Sequence, residues 1–330
     1  MVLVAAKVRM KRPKTILLIL NFNGMLFVPT FAVELISYTL PMRTCGFTIV
    51  RNAVKYDYPV VESIKSVLPV CDEFLVLAGN SDDNTLDLIR QIGSPKIRIA
   101  ESTWDDSLKE GGRVLAAETN KAFDLISPEF DWALYLQADE VIHEKYHDNI
   151  REAMKKWLDC PEVEGLLFNY THFYGTYHYT GDSRRWYRHE IRIIRNDKSI
   201  RSYRDAQGFR KKGEKLRVRP VDASVYHYGW VKNPKTMQTK VLDFHKLWHD
   251  EEWIKQNVNQ EELFDFTDVD SLAVFTGTHP AVMTDRIKNA DWNIELDISK
   301  KKLGFKNRIL LLFEKLTGYR LFEYKNYRII

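Results

Sequence analysis

The sequence predicts an α/β fold: a mostly parallel central sheet with helices on both faces, plus a C-terminal helical extension. Three observations predict it. From Cys45 onward, short apolar runs alternate with stretches of helical periodicity. The apolar runs are continuous, as in strands covered on both faces. Polar clusters follow three of these runs directly, and in open α/β sheets ligands bind beyond the carboxyl ends of the strands.

The elements follow in order. Phe47 to Val50 reads as the first buried strand. Asp57-Tyr58-Pro59 opens a helix with proline in its first turn, and Val61, Ile64 and Leu68 share one face of it. Phe74 to Ala78 is a second strand, the run from Gly79 to Asn84 a turn, and Thr85 to Ile92 a second helix. Ile97 to Ala100 is a third strand. After Gly111-Gly112, the positions Leu115, Thr119, Ala122, Phe123 and Ile126 mark a helix of about four turns. Trp132 to Leu136 is a fourth strand and ends in Gln137-Ala138-Asp139-Glu140. Beyond Glu144 come a helix around Ile150 and Met154, strands at Leu166 to Phe173 and Glu190 to Arg195, and a short strand at Ser224 to His227. Met237, Val241, Phe244 and Trp248 mark another helix, and the tail from Asn307 is helical again.

The chain has 330 residues, enough for one large domain with appendages. Its 49 basic and 45 acidic residues leave a net charge of +4, too small a surplus to argue for nucleic acid. Cys45, Cys71 and Cys160 are odd in number and far apart, which suits a reducing, cytoplasmic setting better than a disulfide framework. Residues 1–41 stand apart. Lys7, Arg9, Lys11, Arg12 and Lys14 precede an uncharged run from Thr15 to Val33, the pattern of a signal or anchor segment. Asn21, Asn23, Gly24 and Pro29 weaken that run, and Met42 offers an alternative start. The expected division is therefore 1–41 as an extension, 42–230 as the catalytic domain and 231–330 as a helical region packed on it.

Phe47-Thr-Ile-Val-Arg-Asn52, Asn80-Ser-Asp-Asp-Asn-Thr85 and Gln137-Ala-Asp-Glu140 match in order and spacing the motifs of family 2 glycosyltransferases with the GT-A fold. The resemblance covers about Met42 to Glu144 and is looser to about Trp230. It implies a nucleotide diphosphate sugar as donor, a glycan or lipid-linked acceptor, inversion at the transferred carbon, and Mn2+ or Mg2+ bridging the two phosphates. By resemblance, Asp139 is the second acid of the family's Asp-any-Asp motif, with Gln137 in place of the first. The acids common after the second strand are replaced by Ala78 and Gly79, so Asp83 stands as the nucleotide contact, beside Ser81, with a helix-capping role as the alternative. Arg51 and Asn52 fall beside the nucleotide. Arg113 follows two glycines at a helix start, where it can pair with a phosphate or simply mark a junction. His227 resembles a C-terminal histidine that completes the metal site or meets the diphosphate.

Two carboxylates compete as the catalytic base, Asp205 and Glu190, the latter sharing a strand face with Arg192. The aromatic segment from Tyr170 to Tyr187 suits either sugar stacking or β-layer packing. The cations Arg210, Lys211, Lys212, Lys215, Arg217 and Arg219 suit either a solvated hairpin or an anionic membrane on the cytoplasmic face. The C-terminal helix, preceded by lysines, suits a peripheral membrane contact. Other classes fit less well. A nucleotidyltransferase wants glycine after the first strand, where Arg51-Asn-Ala-Val-Lys55 has none, and no phosphate-loop motif occurs. A degenerate glycan-binding module is the non-enzymatic alternative.

Overall fold

The computed structural model describes residues 41–330 except Asp106, Lys109, Glu110, Gly111, Leu247, Trp248, Asp250 and Lys300, and in residues 1–40 only the backbone of three strands. The expected helical position Trp248, the glycine Gly111 and much of the run from Thr15 to Val33 lie outside the described residues. Two compact units result, 1–42 and 43–330. In the first, β1 (Lys7–Arg9), β2 (Lys14–Leu20) and β3 (Val33–Thr39) form an antiparallel sheet in that order. Among the described residues no helix is long and apolar enough to cross a membrane.

The second unit begins with β4 (Thr44–Val50), whose seven residues are all buried. α1 (Val60–Val67), β5 (Glu73–Ala78), α2 (Thr85–Arg90), β6 (Ile97–Glu101), α3 (Arg113–Asp124) and β7 (Trp132–Tyr135) follow. Then come β8 (Glu140–Ile142), α4 (His147–Lys156), β9 (Gly165–Gly181), β10 (His189–Arg195), β11 (Ile200–Tyr203), β12 (Gly208–Lys211), β13 (Glu214–Lys215) and β14 (Arg217–Val231). Residues beyond 231 supply α5 (Pro234–His245), α6 (Glu251–Asn257), β15 (Leu272–Val274), α7 (Thr284–Lys288), α8 (Phe305–Thr317) and β16 (Arg328–Ile329).

The main sheet runs β16-β14-β9-β10-β7-β4-β5-β6, with β15 on β9 and β8 on β14. β6, β5, β4 and β7 are mutually parallel, while β10 lies antiparallel to both β7 and β9. The expected α/β class with a mostly parallel sheet holds. The chain leaves β4 toward β5 on one side and returns to β7 on the other, so strand order reverses at the β4–β7 pair. The loops after Val50 and Leu136 therefore flank one crevice.

Local details differ from expectation where packing overrides pattern. Val60, Ile64 and Val67 form the buried face of α1, with Val61 and Leu68 only partly covered. Its buried serines face the crevice side: Ser63 Oγ donates to the Gln137 carbonyl at 3.0 Å, and Ser66 Oγ accepts from the Ile142 amide at 3.1 Å. The strand expected at Ser224 to His227 is the middle of a longer one, because β14 pairs in parallel with β9 over most of its length.

Candidate functional site

The first loop pair is self-bracing. Asn52 adopts a left-handed backbone, φ 56°, which asparagine tolerates better than most residues. Its amide donates to Ser81 Oγ at 2.9 Å and its Oδ1 accepts from the Asp82 amide at 2.9 Å. Arg51 Nε donates to the Asn80 carbonyl at 3.2 Å. Asp83 accepts from the Lys55 amide at 2.7 Å through one oxygen, and from the Thr85 amide at 2.9 Å and the Thr85 hydroxyl through the other. Arg51, Asn52, Ser81 and Asp83 are thus brought together, with Asp83 acting as a turn carboxylate ahead of α2. Arg113 opens α3 on the surface, after Gly112 at φ 68°. A Cβ at Gly79 would lie 2.3 Å from Trp104 Nε1. The indole thus fills the space that a side chain at this position would need, and the Arg51 guanidinium sits 5.6 Å from its ring centre.

The second cluster forms across the crevice. The Asp139 carbonyl accepts from the Tyr228 amide at 2.8 Å, so β14 grips the loop after β7. Asp139 Oδ2 lies 3.7 Å from His227 Nε2 and 3.5 Å from Lys240 Nζ. The Lys240 ammonium also donates to the Gly229 carbonyl at 2.9 Å. Lys232, fully buried, donates to the Asp57 carbonyl at 2.9 Å. Both lysines lie within 5.0 Å of the Tyr58 ring centre. Burial alone would raise the Asp139 carboxyl, but His227 in its protonated form, Lys240 and Lys232 together hold it below its ordinary value.

A histidine relay sets the tautomer of His227. His172 Nε2 lies 2.8 Å from the Tyr187 carbonyl, which can only accept, so this nitrogen carries the proton. Burial first, then the neighbouring His227, lowers His172 to about 3, so the ring is neutral and its Nδ1 accepts. His227 Nδ1, 3.2 Å away, must then donate. Burial also lowers His227, with Asp139 opposing; in its neutral form the ring keeps its proton on Nδ1 and turns the Nε2 lone pair toward Asp139.

Gly229 makes this approach sterically feasible. A Cβ there would stand 2.6 Å from Asp139 Oδ2 and 2.7 Å from His227 Nε2. Gly229→Ala is expected to force Asp139 and His227 apart at a cost of about 1–3 kcal/mol of stability. Urea unfolding would check this, and unchanged stability would contradict it.

Glu140 is not available to supplement Asp139. It is fully buried and bound by Nε and Nη2 of Arg192 at 2.7 and 2.6 Å, with the Tyr170 hydroxyl at 2.8 Å. Arg192 is therefore not the partner of Glu190 that strand alternation allowed. Glu190 is left buried with Oε2 unpartnered. Burial raises its carboxyl to about 8, Arg192 opposing and Glu140 and Asp205 adding to the rise. Glu190 and Asp205 line one cleft of about 290 Å³, with Trp186, Tyr203, Phe322 and Tyr324 among its other walls.

Glu190 has a consequence for stability. Between its ordinary 4.5 and about 8, the folded chain holds a proton that the unfolded chain releases. Stability therefore falls as pH rises through that window, by up to about 1.4 kcal/mol per pH unit. Urea unfolding across it should show the wild type losing stability relative to Glu190→Gln. Parallel curves would contradict the assignment.

In the aromatic segment packing claims Tyr174 and Tyr177, which lie in apolar clusters. Trp186 and Tyr187 line the cleft. The basic stretch is a hairpin whose cations are largely engaged: Arg210 holds the Asn326 carbonyl, Lys211 pairs with Glu164 and Asp197, and Arg217 pairs with Glu164. Sequence reasoning missed Trp104, Lys232 and Lys240, and read His172 only as part of the aromatic segment from Tyr170 to Tyr187. His172 had one signal, since it lies in the strand that pairs with that of His227, but their register appears only in the sheet.

These features define an α/β protein with an acid–imidazole–ammonium cluster at the strand-order reversal and a cleft nearby in which Glu190, Asp205 and Glu323 stand among five arginines. No family model matches the sequence, and no curated protein does. Among solved structures the chain is similar to S. aureus TarS, with a TM-score of 0.36 and 14% identity over 67% of this chain and 41% of that one. The chain thus spans less than half of that protein's length. It is also similar to the mannosyltransferase PcManGT from Pyrobaculum calidifontis in complex with GDP-Man and Mn2+, with a TM-score of 0.29 and 19% identity over 39% and 35%. A third is 4-diphosphocytidyl-2C-methyl-D-erythritol synthase from Anaerococcus prevotii, with a TM-score of 0.31 and 11% identity over 47% and 72%.

Proposed function

We propose that the protein is a glycosyltransferase that moves a sugar from a nucleotide diphosphate sugar to a hydroxyl of a glycan or lipid-linked acceptor, with inversion. The observation that carries this reading is Asp139, at the end of β7, set against Nε2 of His227 and the Lys240 ammonium. Such a cluster suits a leaving diphosphate, whose negative charge grows as the glycosidic bond breaks. The loops of Arg51, Asn52 and Ser81 flank the nucleoside side of the crevice. At the cleft, Glu190 or Asp205 takes the acceptor proton. Glu190 is protonated below about 8, so turnover that depends on it rises as pH approaches that value.

Asp139 and His227 offer a divalent ion such as Mn2+ or Mg2+ one carboxylate oxygen and one imidazole nitrogen, and among the described residues no group of three or more ligating side chains stands together, so phosphate oxygens of the donor would have to complete the shell. Bound there, the ion would supply positive charge for the departing phosphates. The Asp139–Lys240 ion pair favours a second reading, in which the ammonium itself meets the diphosphate. Chelation with EDTA separates them. Lost turnover supports the ion, whereas turnover retained after chelation but lost in Lys240→Met supports the ammonium. The reading as a whole is tested by thermal shift with UDP- and GDP-sugars, each with and without manganese, since a ligand bound to the native state raises apparent stability. No shift with any of them would refute it.

A further inference from the structure

α8 is amphipathic in an unusual sense: its apolar face points outward. Phe305, Ile309, Leu312 and Leu316 are 81, 52, 60 and 77% exposed. At 100° per residue these four fall within about 60° of arc, so they form one continuous stripe. Leu311 is buried on the opposite side. Glu314, the helix's one acid, turns inward to Arg184 at 2.8 Å and Arg320 at 3.0 Å. The charges left beside the stripe are all positive. Lys306 flanks one edge, and Arg308 and Lys315 the other. Lys301 and Lys302 stand just ahead of the helix. Past Gly318 the apolar surface continues in Tyr319 and in Phe322, which is 86% exposed.

A soluble partner protein would be expected to offer acids to these cations at one edge. An apolar stripe bordered by cations on both edges matches a bilayer surface instead, with acyl chains under the stripe and anionic headgroups on either side. We propose that α8 lies in the surface of an anionic membrane, its stripe inserted and its flanking cations on lipid phosphates. The chain beyond it supplies Phe322 and Tyr324 to the cleft that holds Glu190 and Asp205. Docking through α8 thus sets that cleft at the lipid surface, within reach of an acceptor carried in the bilayer. This last consequence rests on the transfer reaction proposed above, whereas the docking does not.

The test uses the full chain and sedimentation with vesicles, either of phosphatidylcholine alone or of equal parts phosphatidylcholine and phosphatidylglycerol. The wild type is expected to pellet with the mixed vesicles and to be released as salt is raised. Leu312→Ser with Leu316→Ser should weaken binding tenfold or more, and both positions are exposed enough for the fold to survive. Lys306→Glu with Lys315→Glu should remove the preference for the anionic vesicles. Wild-type protein that stays in the supernatant with both vesicles overturns the proposal, as does equal binding by the serine variant. A dimer in light scattering that the serine pair dissolves also overturns it, in favour of a second copy. Thermal shift with nucleotide sugars in the same preparations keeps the two readings separate. Vesicle binding without any donor-induced shift refutes the transferase and leaves the docking standing, and the reverse result refutes the docking alone.

Discussion

On the proposed reaction, Asp139→Asn should reduce transfer about a hundredfold to a thousandfold while the chain stays folded. The reason is charge placement: the carboxylate faces His227, Lys240 and, further in, Lys232, and loss of one preorganised electrostatic group at a reacting centre costs about a hundredfold to a thousandfold. The first acid of the motif is already glutamine, at Gln137, so no neighbouring carboxylate can substitute. Glu140 is held by Arg192. Asn keeps the shape of the side chain and can still accept from Lys240. Ala would also leave that largely buried ammonium without a counter-charge, adding a stability cost that confuses the reading. The measurements are kcat/KM with a donor found by the thermal screen and urea unfolding of the same preparations. Transfer within tenfold of wild type would remove Asp139 from the site.

Arg192→Ala should cost about 3–5 kcal/mol of stability, the largest effect expected of any single change in the core. Glu140 and Arg192 are both fully buried and joined by two short hydrogen bonds. Tyr170 and the Gln137 amide complete the Glu140 shell, at 2.8 and 3.1 Å. Removing the guanidinium strands a carboxylate where water cannot reach it. Replacing both partners, as in Glu140→Leu with Arg192→Met, should recover most of the loss, because two desolvated charges are then removed together. Chemical denaturation of the single and double variants measures this. Equal losses in both would mean that packing, not charge, is at stake. The pair also braces the turn that carries Asp139, so the single variant should lose transfer activity together with stability.

Much of this architecture was legible in the linear chain. Continuous apolar runs at Phe47 to Val50, Phe74 to Ala78 and Trp132 to Leu136 can only be strands covered on both faces, and they are. The polar ends of the first two meet through Asn52, Ser81 and Asp82, and the third strand runs parallel beside the first. The face of α1 was misread by one position because Pro59 sets where the helix begins, and apolar residues at 60, 61, 64, 67 and 68 support either face. The role of Asp83 was open between ligand contact and turn. Its oxygens are taken by Thr85 and by the Lys55 amide, 28 residues away in sequence.

The sequence by itself determined the α/β class, the strand ends and the identity of Asp139 as the acid at one of them, because periodicity and strand length are local properties of the chain. It also carried the C-terminal helix, but which of its apolar residues stay exposed was left to packing, which buries Leu311 and leaves Phe305, Ile309, Leu312 and Leu316 outside. Only the tertiary structure decided what Asp139 faces. His227 and Lys240 come from β14 and α5, about ninety and a hundred positions further on, and the state of His227 depends on His172 in the neighbouring strand and on the Tyr187 carbonyl beyond it. Electrostatic partnership depends on distance through space, which becomes defined only once strand register and helix packing are set.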